Sequence, residues 1–484
     1  MWDNMLVSLV LGLVIGYIAW VLKWKVNKGE KGLPYRLPPG SMGYPIVGET
    51  FHFFKPNNSF GVPPFIHERK QRYGSVFKTS IVGRTVVVCT EAEDNNFIFQ
   101  QEGRLFRSWY PESFTQVFGE QNVGSLHGYM YKYLRNMVLT LVGPEPLKQN
   151  FLPQIHQNIL SETAHWNHSV LDIKEASASI IFDFTAKKLI SYDPSTDGGL
   201  RRNFEAFIQG LISFPLDIPG TAYHRCLKGR SRAMDKLKKM LAKRRENPHL
   251  ENADFFDHLI SELNKQGTLL TEDIALDLIF VLLFASFETT SLAVTLALKF
   301  VTENPKALKE LQEEHEAILA RKEDKESELT WTEYKSMRFT SNVINETIRL
   351  ANIVPGMFRK AMKDVQIGGY SIPAGWTVMV CPTAMHLDPF VFPDPVSFNP
   401  WRWQDAEDSN SIIAKHYSPF GGGIRFCVGT DFTKLYLSVF LHCLVTRYTW
   451  KAVKGGEILR TPGLSFPNGY HVHFHSKPGH PNLS

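Results

Sequence analysis

The residues best suited to chemistry in this chain form one short loop, Phe420–Gly429, which reads FGGGIRFCVG. Cys427 alone says little, because a free cysteine is most often a small buried apolar side chain. Its neighbours change the reading. Gly421, Gly422 and Gly423 allow positive φ and a close approach of backbone to a flat ligand. A helical pattern from Thr430 to Tyr448 starts just after the cysteine, so its free N–H groups and dipole favour a thiolate. Arg425 stands shortly before the sulfur and can meet an anionic group. A thiolate beside a planar, acidic cofactor is the arrangement haem requires, and thiolate ligation favours O–O cleavage.

The elements that must position this loop are mostly helical. The longest pattern runs from about Glu272 to Phe300, with Thr271 as its N-cap. Its apolar stretch Leu278–Phe287 resembles a membrane span, but Asp277, Glu288 and Lys299 interrupt it. Each such charge costs ~2.5–3.5 kcal/mol at bilayer depth, so a buried central helix is expected. Within it, Glu288 and Thr289 form an acid–alcohol pair suited to proton delivery. The plainer alternative is a Thr hydroxyl bonded back to the i−4 carbonyl beside a solvent-facing Glu. A helix over Phe339–Asn352 puts Glu346 and Arg349 on one face, where an exposed pair contributes only ~0.2–0.5 kcal/mol. With Arg402 as a second cation, the carboxylate gains several charge-assisted hydrogen bonds. Ser75–Ile81 and Arg84–Thr90 predict a hairpin about Gly83. Tyr470–His475 alternates like a strand at a solvated edge, with His471, His473 and His475 on one face.

Composition sets the class. The chain has 484 residues, 43% hydrophobic and 21% charged, which excludes disorder and low-complexity architectures. A net charge of +5 is far from the footprint of a nucleic-acid binder, and no nucleic-acid partner is expected. Five cysteines without a CxxC pair point to a reducing compartment. Met5–Leu22 is uncharged and close to the ~17–25 residues that cross a bilayer. Lys23, Lys25, Lys28 and Lys31 follow it, which leaves the rest of the chain on the cytosolic side. The expected division is a transmembrane anchor over 1–22, a basic and Pro-rich linker over 23–48, and a catalytic domain over 49–484. The charge is also uneven. Lys23–Gly32 and Lys228–Arg245 together carry +11, leaving −6 elsewhere. The second run has Ala233, Leu237, Met240 and Leu241 at helical spacing, as in a solvated amphipathic helix or one that lies on a membrane.

The loop pattern FxxGxRxCxG resembles the haem-binding signature of the cytochrome P450 superfamily. Further elements occur in that family's order: Ala285–Thr290 (ASFETT) resembles the oxygen-activation motif, Glu346–Arg349 the ExxR helix, and Phe398–Trp403 (FNPWRW) the segment whose arginine joins it. The anchor and the PPGSMGYPIVG hinge are similar to those of microsomal members. The implied fold is mainly α with small β-sheets behind the transmembrane helix. The implied cofactor is haem b, with O2 as oxidant and NADPH electrons arriving through NADPH-cytochrome P450 reductase. Localisation follows as the endoplasmic reticulum membrane, single-pass, with the catalytic domain cytosolic. Cys427 becomes the iron ligand; Phe420, Gly423, Gly429 and Ala285 lie against the haem; Arg135, Arg359 and Arg425 meet its propionates, with Tyr131 where the family more often has Trp. Glu288 and Thr289 guide protons, and Glu346, Arg349 and Arg402 form a scaffold. Ser286 replaces a more usual Gly and re-shapes the oxygen groove.

The resemblance also implies pocket walls. These are Phe106, Trp109 and Phe114 in the Arg104–Phe118 loop, Phe284 in the central helix, then Val354, Met357 and Leu464. Apolar walls without a charge cluster imply a large lipophilic substrate. Ser213–Arg225 (SFPLDIPGTAYHR) and Leu329–Thr340 (LTWTEYKSMRFT) look like the plant branch that oxidises sterols, brassinosteroids and triterpenoids. The expected reaction is hydroxylation of a sterol or triterpenoid, with sterol side-chain oxidation or cleavage ahead of triterpene-ring or brassinosteroid-type hydroxylation. The rival classes are a reductase-independent haem-thiolate isomerase or lyase, and a non-catalytic sterol carrier.

Overall fold

Val76–Ile81 and Arg84–Cys89 pair antiparallel, Ile81 opposite Arg84. Val82 and Gly83 between them have φ of 50° and 72°, the left-handed pair of a tight hairpin turn whose twist suits the strands. The computed structural model describes Gly12, Ile15, Gly16 and residues 36–195, 199–211, 213–246, 254–404 and 412–478. The expected anchor lies outside the described residues apart from those first three, which are helical, and the linker is described only from residue 36.

The hairpin opens a five-stranded sheet continued by Thr377–Val380, Met357–Ala361 and Phe106–Ser108. Alternation splits its side chains between two apolar layers. Val76, Val87 and Val378 face one, and Phe77, Val88 and Met379 the other. The stretch 104–118, expected as a loop, supplies the last of these strands and the helix Glu112–Phe118. Its strand exists because Phe106–Ser108 pairs with Arg359–Ala361, a partner distant in sequence.

The helices form the larger body. The central helix Glu272–Glu303 is capped by Thr271, whose hydroxyl accepts Ile274 N–H at 3.3 Å. Twenty of its 32 residues are buried. Among the described residues it is the one helix long and apolar enough to cross a membrane, and that burial assigns it to the core. Its interrupting charges are all paired: Asp277 with Arg230, Glu288 with Lys174, Lys299 with Glu303. The ExxR helix spans Arg338–Ala351, and the helix after the cysteine spans Thr430–Arg447.

One open alternative narrows and one expectation changes. The basic run lies in the helix Ala222–Glu246, whose apolar face (Ala233, Leu237, Leu241) is buried. That helix packs on Gly199–Leu211, where a Cβ on Gly229 would sit 2.6 Å from Asn203 O. The stripe is therefore covered within the fold, and lysines such as Lys238 and Lys239 face solvent. Tyr470–Ser476 is the middle strand of a three-stranded sheet rather than an edge, flanked by Val170–Asp172 and Tyr448–Gly455. Tyr470, Val472 and Phe474 fill one face, and the three histidines occupy the other.

Candidate active site

The cysteine loop is shaped from both ends. Gly421 N–H bonds Ser418 O at 3.1 Å, Phe426 N–H bonds Gly423 O at 3.1 Å, and Cys427 N–H bonds Phe420 O at 3.0 Å. Gly421 and Gly423 have φ of 76° and 62°, which glycine adopts freely. Two of the three glycines serve protein rather than ligand. A Cβ on Gly423 would lie 2.2 Å from Phe99 O, and one on Gly422 2.7 Å from the Phe99 ring. Only Gly421 of the three lines the cavity. Thr430 Oγ1 donates to Cys427 O at 2.9 Å and helps start the following helix.

Cys427 is the one exposed cysteine of five. It opens into a cavity of about 360 Å³ walled by Ala285, Thr289, Phe420, Val428 and Gly429. Desolvation by the surrounding protein pushes the free thiol above its ordinary pKa. The Gly429 amide, the Thr430 hydroxyl and the Arg135 charge pull in the opposite direction. A coordinated cation would reverse the balance, since a metal deprotonates a bound thiol outright.

Glu288 and Thr289 part company. Thr289 faces the cavity, and its hydroxyl donates to Ala285 O at 2.8 Å, the i−4 arrangement. Glu288 is not a lining residue: Lys174 Nζ holds it at 2.9 Å from the neighbouring helix Ile173–Ile190. Ser286 lines the cavity, its hydroxyl 3.0 Å from Leu283 O and 3.2 Å from Thr185 Oγ1.

Beneath the loop, Glu346 is fully buried. Arg349 binds it through Nε and Nη2, both at 2.8 Å, and Arg402 Nε adds a third bond at 3.0 Å. Asn399 N–H and Trp403 Nε1 complete the shell, each at 3.0 Å. The carboxylate thus accepts five hydrogen bonds, which is what makes a buried ion cluster tolerable. His386 ties this scaffold to the loop: Nδ1 meets Asn352 Oδ1 at 2.8 Å, and Nε2 accepts Ser418 N–H at 3.1 Å.

The three expected cations form a linked set. Arg425 stacks over the Tyr131 ring at 3.8 Å. Arg135 reaches Tyr131 OH at 3.5 Å and the Phe426 carbonyl. Arg359 and Arg425 share Glu102, at 2.6 and 3.3 Å. Sequence reasoning missed Glu102, because its partners are distant in the chain. Tyr110, one of the aromatics of the stretch 104–118 that the sequence placed at the pocket, is a cavity wall near these charges.

Of the expected pocket walls, Val354 and Met357 line the cavity. The others lie elsewhere. Phe106 is fully buried in the sheet layer with Ile98 and Val378. Trp109 packs on Phe358. Phe114 and Phe284 both contact Phe118. Leu464 packs with Leu292, Leu296 and Phe300. Gly423, placed by sequence against the cofactor, contacts Phe99.

The donor chemistry fits haem. Among the described residues no group of three or more His, Cys, Asp or Glu side chains could hold a metal ion. A metal at Cys427 therefore needs a macrocycle for its remaining ligands, and the apolar walls and the arginines at one corner suit that macrocycle's plane and carboxylates.

Comparisons agree. The cytochrome P450 family model matches residues 38–474. "Cytochrome P450 87A3" of Oryza sativa subsp. japonica is 55% identical over 463 residues, 95% of this chain and 89% of that protein. "Cucurbitadienol 11-hydroxylase" of Siraitia grosvenorii is 40% identical over 477 residues, 97% and 99% of the two chains. The solved structure of retinoic acid-bound cyanobacterial CYP120A1 superposes with a TM-score of 0.82 at 26% identity, covering 92% of this chain and all of that one. With its cysteine loop, its ExxR cluster and a family match over residues 38–474, the chain belongs to the cytochrome P450 family.

Proposed function

We propose that this monooxygenase hydroxylates a triterpenoid or sterol at the endoplasmic reticulum membrane, drawing electrons from NADPH through a membrane-bound reductase. One observation carries the reading: Cys427, alone of five cysteines, opens into an apolar cavity whose opposite element, the central helix, presents Ala285 and Thr289. Haem bound there supplies O–O cleavage and transfer of one oxygen atom to a C–H bond.

The chain's own residues do the rest. Cys427 would supply the thiolate ligand, and Arg135, Arg359 and Arg425 would hold the propionates. Thr289 keeps a hydroxyl at the cavity wall, where it passes protons. Glu288, held by Lys174, supplies them when that pair opens. Val354 and Met357 shape the substrate's approach.

Oxidation of the sterol side chain is the finer reading, since a slim flexible tail reaches a confined centre more readily than a rigid ring. Ring hydroxylation is the second, favoured by the relative named for hydroxylating cucurbitadienol. A reductase-independent isomerase or lyase has no use for a proton-bearing hydroxyl at this wall. The carbon-monoxide difference spectrum of the reduced protein tests the ligand, and a wild type without a thiolate-type band overturns the assignment. Co-expression with a plant reductase in a sterol-producing host then identifies the product. Turnover without NADPH and reductase would defeat the monooxygenase route proposed here.

A further inference from the structure

Glu102 follows the helix Ala92–Gln100 and has no place in the chemistry derived so far. Its side chain is 3% exposed. Oε1 accepts Ser108 N–H at 2.9 Å and lies 3.3 Å from Arg425 Nε, while Oε2 lies 2.6 Å from Arg359 Nε. Ser108 is the cross-strand partner of Arg359, so the same strand pair that carries the arginine also grips the carboxylate. Arg359 and Arg425 are 4% and 9% exposed at the side chain. Two buried guanidinium groups against one carboxylate leave a surplus of one positive charge, costly without a further anion.

Arg135 adds a second surplus charge. Its partners are the Tyr131 hydroxyl and the Phe426 carbonyl, both neutral, and among the described residues no carboxylate pairs with it. The three arginines and Glu102 together therefore carry +2, equal and opposite to the two carboxylates of a haem b. Without Glu102 the arginines would carry +3.

We propose that Glu102 is a positioning residue that fixes the charge of this corner: it cancels one of three arginines, pins Arg359 and Arg425 in place, and thereby sets the reduction potential of the bound haem. The proposal rests on the haem assignment above.

The test uses the full-length holoprotein and a spectroelectrochemical titration. Removing a negative charge near the iron favours the added electron, so Glu102→Gln shifts the midpoint to more positive potential. Glu102→Gln combined with Arg359→Gln removes one charge of each sign, and the midpoint returns toward wild type. Glu112→Gln, whose side chain is 88% exposed, leaves it unmoved. A Glu102→Gln midpoint equal to wild type overturns the proposal, as does a double variant that stays shifted. Where Glu102→Gln fails to retain haem, haem content replaces potential as the readout: recovery in the double variant supports charge balance, and loss in both refutes it. A wild type lacking any haem spectrum would instead overturn the haem assignment, a separate outcome.

Discussion

Lys174 Nζ lies 2.9 Å from Glu288 Oε2, joining the Ile173–Ile190 helix to the central helix one residue before the cavity hydroxyl of Thr289. Both side chains are about one-fifth exposed, at 22% and 18%, so the pair can exchange protons with solvent. If Glu288 feeds Thr289, Glu288→Gln lowers reductase-driven turnover on the order of a hundredfold, the usual scale for a positioned acid. Turnover equal to wild type would reduce the pair to a tie between helices.

Thr289 already spends its own proton on Ala285 O at 2.8 Å, which leaves its oxygen free to accept. Thr289→Ala removes that acceptor with little change in volume. Product per NADPH consumed falls, and hydrogen peroxide rises to account for the difference. Unchanged coupling removes Thr289 from the proton path.

The Glu346 cluster predicts an asymmetric pair of stability effects. Glu346→Gln leaves Arg349, which is fully buried, without its counter-charge, and breaking such a pair costs about 3–5 kcal/mol. Arg402→Lys keeps a cation beside a carboxylate that still binds Arg349, at a cost of about 1–2 kcal/mol. Urea unfolding of both variants, followed by tryptophan fluorescence, gives the order. Equal losses would contradict the arrangement.

Acid should unfold the protein through its buried histidines. Burial lowers His156 to about 4 and His315 to about 3. Burial, with the Arg349 charge next, lowers His386 to about 3. Below the ordinary value near 6.5 the unfolded chain binds protons that these rings refuse, so their stabilisation is complete above that pH and is lost as pH falls toward 4 and then 3. Each ring contributes a slope of about 1.4 kcal/mol per pH unit within its window. Urea midpoints that fall from pH 6.5 to pH 5 are the expected result, and a flat profile is the contrary one.

Gly423→Ala tests why the loop holds its shape. Its φ of +62° and the Phe99 oxygen 2.2 Å from any Cβ leave no room for the methyl. Loss of about 2 kcal/mol or more, with reduced haem retention, is expected. Gly421→Ala meets only the Met357 sulfur, at 3.2 Å, and is milder apart from the shared cost of positive φ.

What could be read from sequence was local or periodic. The hairpin, the Thr271 cap and the long central helix follow from short-range patterns, and the structure holds them within a few residues. The ExxR pair is set by one helical turn, and Arg402 joins it where the FNPWRW segment suggested. Long-range pairing stayed hidden. Nothing near Glu102 announces Arg359 and Arg425, nothing near Glu288 announces Lys174, and the glycines look like ligand contacts until Phe99 appears. Phe106, apolar in a segment expected to face the pocket, was claimed by the sheet because a strand distant in sequence needed a neighbour.

The distance between those partners has a biosynthetic consequence. Arg425 and Glu102 are 323 residues apart, and Gly423 sits on Phe99 over a similar span. A chain emerging from the ribosome makes the acidic and aromatic half of this contact early. It must then wait for the half that carries Arg425, 323 residues further along the chain. Contacts of such separation close late, because the loop entropy they cost is repaid only at the end. Capture of the prosthetic group therefore waits for these contacts to close, and a chain that stops before residue 420 would carry Glu102, Arg135 and Arg359 but neither the third arginine nor the sulfur that would bind the iron.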